Sequence, residues 1–177
     1  MLYDPTIFEN VKVALENEIY DLDNLSQAVV IQGRQDLMDL AVLSRRFMLA
    51  FALPQHFGIT AEVELSSSLH DLAGELLQLA GTEPIGCRLD IRFRMKLREP
   101  EAVCAQISSV LSGIWGPEPR IAQHLTYTFG TEGYLNRIDV TFDRKIGEEQ
   151  MDDLAELLDY VLRSLRALHE LDTQNEQ

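Results

Sequence analysis

Arg88, Arg92, Arg94 and Lys96 share one parity in a segment whose other parity is Leu89, Ile91, Phe93, Met95 and Leu97, with Arg98 just beyond it. Strict alternation of this kind is the period of a β-strand with one buried face. The polar set, which also includes Asp90, then projects from the other face at intervals of about 7 Å, twice the rise of roughly 3.3 Å per residue. A cationic ladder so spaced suits a polyanion or an acidic partner surface, and arginine in particular suits bidentate recognition of a carboxylate or phosphate. Arg137, in a second alternating segment downstream, has the same chemistry. Arg88, Arg92, Arg94, Lys96 and Arg137 are therefore the candidate ligand- or partner-binding residues. Glu62 and Glu64 occupy the polar parity of one potential neighbour strand, and Asp139 and Asp143 that of another. Opposite charges on adjacent strands neutralise one another, each pair contributing about 0.2–1 kcal/mol. An internal, solvated ion-pair network is the preferred reading of the same residues.

Other chemistry finds less support. His56, His70, His124 and His169 are scattered, with neither the HExxH spacing of a zinc protease nor a GxSxG nucleophile elbow. His70 beside Asp71 and Glu75 could ligate a metal, and His124 could act with Arg137 across a hairpin, but on a capped helix and a solvated sheet both sets read as ordinary polar residues. Asp21-Leu22-Asp23-Asn24 opens like a calcium loop, yet Leu25 and Ser26 stand where a ligand and glycine are required. At a strand end, Asp21 and Asp23 could share a divalent ion with Asp36 or Asp39, although an acidic turn exposed to water is the commoner case. Gly130 and Gly133 lie between strands rather than before a helix, so no phosphate loop is indicated. Leu125, Tyr127 and Phe129 continue an apolar strand face and are expected in the core, not as a base-stacking platform beside Tyr134 and Phe142. No catalytic residue, metal site or cofactor is assigned.

The elements that must position these residues follow from periodicity. After the strand at 88–97, Pro100 suits a first helical turn, and Val103, Cys104, Ile107, Val110, Leu111 and Ile114 form a helical stripe ending at Gly116-Pro117. Segments 121–129 and 135–142 alternate and are joined through Gly130-Thr131-Glu132-Gly133, a hairpin signal. From about Glu148 to Leu171 the leucines trace one long amphipathic helix, acidic at its start and basic late, as the helix dipole favours. Upstream, 59–65 reads as a strand, followed by a helix capped by Ser68 and Asp71 and stopped by Gly81. The first third predicts a helical turn after Asp4-Pro5 and then strands, including 28–31 and a doubly buried strand near 43–53.

The fold class expected is α+β: a largely antiparallel sheet with amphipathic helices on one face. The second half is ferredoxin-like in element order. One domain covers 1–177, with a β-rich part at 1–57, a mixed part at 58–171 and a polar tail at 172–177.

With 177 residues, 46% hydrophobic and 25% charged, the chain is ordinary globular material. Its longest apolar run, seven residues from Phe47 to Leu53, is far short of the roughly 20 needed to span a bilayer as a helix. Cys87 and Cys104 form no CxxC pattern, and the start shows no signal-peptide pattern. A cytoplasmic location and no membrane association are expected. The net charge of −14 opposes direct nucleic-acid binding. It is uneven: residues 1–86 hold 4 Lys/Arg against 13 Asp/Glu, and 87–177 hold 11 against 16. The reading is a noncatalytic binding or regulatory protein that contacts a protein partner through the polar sheet face or the terminal helix, possible partners including a second copy in a homodimer. Two alternatives stay open. One is an enzyme or sensor that takes a small anionic ligand between the N-terminal strands and the second-half sheet. The other is an acidic nucleic-acid mimic.

Overall fold

The computed structural model describes residues 6–77 and 84–175. Along them run α1 (Ile7–Asn24), β1 (Val30–Asp39), β2 (Ser44–Leu53), β3 (His56–Ser67), α2 (Leu69–Leu76), β4 (Arg88–Leu97), α3 (Pro100–Trp115), β5 (Arg120–Thr126) and β6 (Tyr134–Thr141). A short 3-10 turn, Glu148–Asp153, then leads into α4 (Leu154–Asn175). The six strands make one sheet in the order β1-β2-β3-β4-β6-β5, every neighbouring pair antiparallel. From β4 onward the order strand, helix, strand, strand, helix matches most of the ferredoxin-like β-α-β-β-α-β arrangement.

Alternation decides which face is which. Phe47, Leu49 and Phe51 of β2, Ala61, Val63 and Leu65 of β3, Leu89, Ile91, Phe93, Met95 and Leu97 of β4, and Ile138 and Val140 of β6 all turn to one side. There they meet Val11, Leu15 and Ile19 of α1, Val103, Ile107 and Leu111 of α3, and Leu158, Val161, Leu165 and Leu168 of α4 in a single core. The α4 stripe is thus buried in the chain's own core.

Helix α1 corrects the expected single turn followed by strands. Val11, Val13 and Leu15 alternate for only three positions, whereas Phe8, Val11, Leu15 and Ile19 continue a 3.6-residue stripe; all four are buried and Val13 is 50% exposed. β1 is also longer than the expected 28–31. The supposed tail at 172–177 continues α4 as far as Asn175. The capping box of Ser68 and Asp71 forms as expected, while the predicted helix end at Ala80 and Gly81 lies outside the described residues.

An ion network ties α1 to the first two strands. Arg34 reaches Glu16 at 2.6 Å, Lys12 reaches Glu9 at 2.8 Å and Asp36 at 3.0 Å, and Arg45 pairs with Glu9. Burial alone would raise the Glu9 and Asp36 carboxyls, but the Lys12 and Arg45 cations outweigh it and hold both below their ordinary 4.5 and 3.8. Asp71 behaves alike: burial raises it, and Lys145 and Ser68 lower it further. A carboxyl whose folded pKa is depressed stabilises the fold above its unfolded pKa, and that contribution is lost as pH falls through the folded value. Urea midpoints are therefore expected to hold from pH 7 down to about pH 5 and then to decline steadily. Equal midpoints at pH 7 and pH 3 would rule out this contribution.

Candidate functional site

The face opposite the helices carries the predicted cations, and strand register sorts its residues into rows. One row reads Ala50, Glu62, Arg92, Asp139, Ala122 across β2, β3, β4, β6 and β5. Charges alternate along it. Arg92 stands 3.1 Å from Glu62, 3.2 Å from Asp139 and 4.0 Å from Glu64. Burial works against the Arg92 charge, but these carboxylates more than compensate and raise its pKa. For Arg92 the internal network is what the structure shows.

The adjacent row is different. Thr60, Arg94, Arg137 and His124 lie abreast, so that Arg94 faces Arg137 and Arg137 faces His124. The Arg94 and Arg137 guanidiniums directly opposite one another repel, and only carboxylates from the neighbouring row offset them. Arg94 Nε meets Glu62 at 2.8 Å, while Arg137 Nη2 and His124 Nε2 share one oxygen of Asp139 at 3.1 and 3.3 Å. Both carboxylates also serve Arg92. Arg137 Nε is buried with no hydrogen-bond partner. One step further along, Lys96 is exposed opposite Leu135.

Arg88, at the start of β4, is not part of this group. It bonds Asp90 on its own strand at 2.7 Å, a contact that raises its pKa. Asp143, the other anticipated partner, acts on it only through longer-range charge. Of the five predicted residues, then, register brings Arg92, Arg94 and Arg137 together, sets Lys96 at their edge and leaves Arg88 at the far end of the strand. β3 pairs directly with β4, so the crevice imagined between the N-terminal strands and the second-half sheet is filled by ordinary strand pairing.

A second feature is one that the sequence reasoning did not single out. The β1–β2 connection reads Leu40-Ala41-Val42-Leu43, and with Leu37 and Met38 it exposes five large apolar side chains. Leu40 is 76% and Val42 58% exposed. Within the turn, Asp39 Oδ1 accepts the backbone N–H groups of Ala41 and Val42 at 2.9 and 3.4 Å, and Leu43 takes a positive φ of 53°. Leucine in that conformation is uncommon. Leu69, 46% exposed, opens α2 at the same end of the sheet, since Ser67 pairs with Arg45. The available signal was an apolar loop where a hairpin ordinarily has Gly, Asn or Asp.

The aromatic expectation is corrected as well. β5 stops at Thr126, so Tyr127 and Phe129 fall in the hairpin loop, 69% and 96% exposed, instead of in the core. The alternation runs past the point where a helix covers the face, and exposure there is settled by coverage. Asp21 and Asp23 end α1 rather than a strand, and Asp23 accepts the Ile31 backbone N–H at 3.3 Å. His56 and His169 stack with ring centroids 3.8 Å apart. Among the described residues no group of three or more His, Cys, Asp or Glu is placed to hold a metal ion. Burial pushes the Cys87 thiol up to about 12 and raises Cys104 too, the opposite of nucleophile activation. Two surface hollows, one between Ser112 and Ile121 and one along Glu156 to Arg166, include none of the predicted site residues. Among the described residues no helix is long and apolar enough to cross a membrane.

Compared with known protein families, with curated proteins and with solved structures, the chain finds no match.

Proposed function

We propose that the chain is a noncatalytic binding protein whose protein partner docks on the apolar tip of the β1–β2 hairpin. The observation that carries this reading is the run from Leu37 to Leu43, where five large apolar side chains at the end of β1 and in the turn are exposed, the turn being bonded by Asp39. Contiguous exposed apolar surface is costly to keep in water and characteristically marks an interaction site. Leu43, in the same turn, holds an uncommon positive φ, as do Gln27 and Gln55 in other connections. The terminal helix no longer competes for this role because its stripe is buried, and Arg92 is engaged by three carboxylates.

The test is affinity capture with the wild-type chain beside the double variant Leu40→Asp/Val42→Asp, followed by binding measurements on the purified pair. Both side chains are exposed, so melting temperature should stay within about 2 °C, as for surface changes away from packed contacts. The reading expects proteins held by the wild type to be lost from the variant, with affinity at least about tenfold weaker, the size of a hot-spot substitution. Sedimentation of both proteins identifies the case in which the partner is a second copy. Identical captured proteins and identical sedimentation would overturn it.

A further inference from the structure

The geometry points to an oxyanion-binding site formed by Arg94, Arg137 and His124, which takes a single carboxylate or phosphate group on the open face of the sheet. It does not depend on the hairpin tip, because the two lie at opposite ends of the sheet: β1 and β2 turn beside the start of β4, whereas Arg94 and Lys96 lie near its end.

Three observations combine. Register sets the three groups abreast on adjacent strands β4, β6 and β5, and strands lie about 4.8 Å apart, so the row spans roughly 10 Å. A tetrahedral phosphate or planar carboxylate set above Arg137 is flanked by the Arg94 guanidinium on one side and the His124 imidazole on the other. Next, the row is accessible, its side chains being 39%, 43% and 51% exposed, while the carboxylates beneath are only 13% and 19% exposed. The carboxylates are thus the less exposed members of each pair and the nitrogen-bearing side chains the more exposed. Finally, the row contains no carboxylate of its own and borrows those of the row beside it. Glu62 and Asp139 are divided among Arg92, Arg94, Arg137 and His124, and Lys96 at the rim has no carboxylate within 4.0 Å among the described residues. Among the described residues Arg137 makes one ion pair, through Nη2 to Asp139, while its Nε is buried without a partner. In a chain of net charge −14 two arginines stand side by side here, and the fork of a guanidinium suits bidentate recognition of an oxyanion.

The recognised group could belong to a small free anion or to an acidic side chain of a bound peptide, and the experiment separates them. Isothermal titration at low ionic strength uses two probes, inorganic phosphate and a terminally blocked tetraglutamate peptide. Saturable binding of at least one probe to the wild type is expected, weakened at least about tenfold by Arg137→Gln, the loss of a charge-assisted contact. Arg137→Lys should weaken it less, since the charge survives without the fork. Arg88→Gln should leave it unchanged. Tighter phosphate binding identifies a small anion, and tighter peptide binding a partner's carboxylate. Should Arg137→Gln fail to fold, Arg137→Lys and His124→Gln carry the comparison. The site is refuted if neither probe saturates, if the Arg137 and His124 variants bind like wild type, or if Arg88→Gln weakens binding as much as they do. In that last case the attraction is a diffuse field.

Discussion

Truncating Phe93 to alanine is expected to lower the unfolding free energy by about 3–5 kcal/mol, the cost of deleting a buried aromatic ring whose cavity closes only in part. Phe93 is fully buried on β4, flanked across the sheet by Ala61 and Ile138. Ala61 is too small to fill the space, and Ile138 is held by its own place in the core. Against a total stability of roughly 5–15 kcal/mol for a domain, that loss is large. Urea denaturation of the two proteins measures it directly. A difference below about 1 kcal/mol, within the range of a volume-conserving swap, would mean that the core closes over the gap. Phe93 also separates Arg92 from Arg94 along the chain, so the residue that anchors β4 from below fixes the backbone that presents both arginines above. A loosened strand should blur the Arg94–Arg137–His124 row too, and anion affinity should fall together with stability.

Replacing Arg92 with methionine is expected to destabilise by about 2–3 kcal/mol. Removing one partner of a fully buried ion pair costs about 3–5 kcal/mol. Arg92 retains 26% side-chain exposure, and solvent screening reduces the figure. The loss arises from what remains. Glu62, Glu64 and Asp139, all within 4.0 Å of the guanidinium, would crowd one patch of sheet with no charge between them. Because carboxylate repulsion is the cause, the difference between variant and wild type should shrink in acid, where protonated carboxyls no longer repel. A difference independent of pH would assign the effect to lost packing of the arginine stem instead. A second consequence concerns the neighbouring row. Without Arg92, Glu62 and Asp139 are free to neutralise Arg94 and Arg137 fully, so phosphate affinity should drop even though Arg92 itself is not in the site. Unchanged phosphate affinity would mean that the row's excess charge does not depend on sharing its carboxylates.

Much of this architecture was legible in the residues. The strand at 88–97 and the helix from Pro100 to Trp115 emerge with their expected bounds, because an unbroken period of two and a period of 3.6 bounded by Pro and Gly leave little else to build. The Ser68–Asp71 cap was equally plain. The failures are at ends and loops. α1 was obscured by three residues that satisfy both periods, and the hairpin loop containing Tyr127 and Phe129 was hidden because alternation does not reveal where a covering helix ends. The apolar hairpin tip was visible as letters but unremarkable until two long strands were known to end on either side of it. Asp39 helps stop β1 there, its side chain satisfying the N–H groups of the turn.

What the amino-acid sequence determined by itself is the set of faces: which side chains of each strand and helix are apolar and must meet, and that Arg92, Arg94, Lys96 and Arg137 point away from them. Alternation is a local property, and burial of apolar surface enforces it whatever the partners are. Only the tertiary structure decided which charges meet. Placing Glu62 and Asp139 on either side of Arg92, and Arg94 directly opposite Arg137, depends on strand order and register across β3, β4 and β6. A two-residue slip in register keeps every apolar residue inside yet changes every cross-strand pair. Neutralised and cationic rows on this face therefore have the same composition rules and differ only in register.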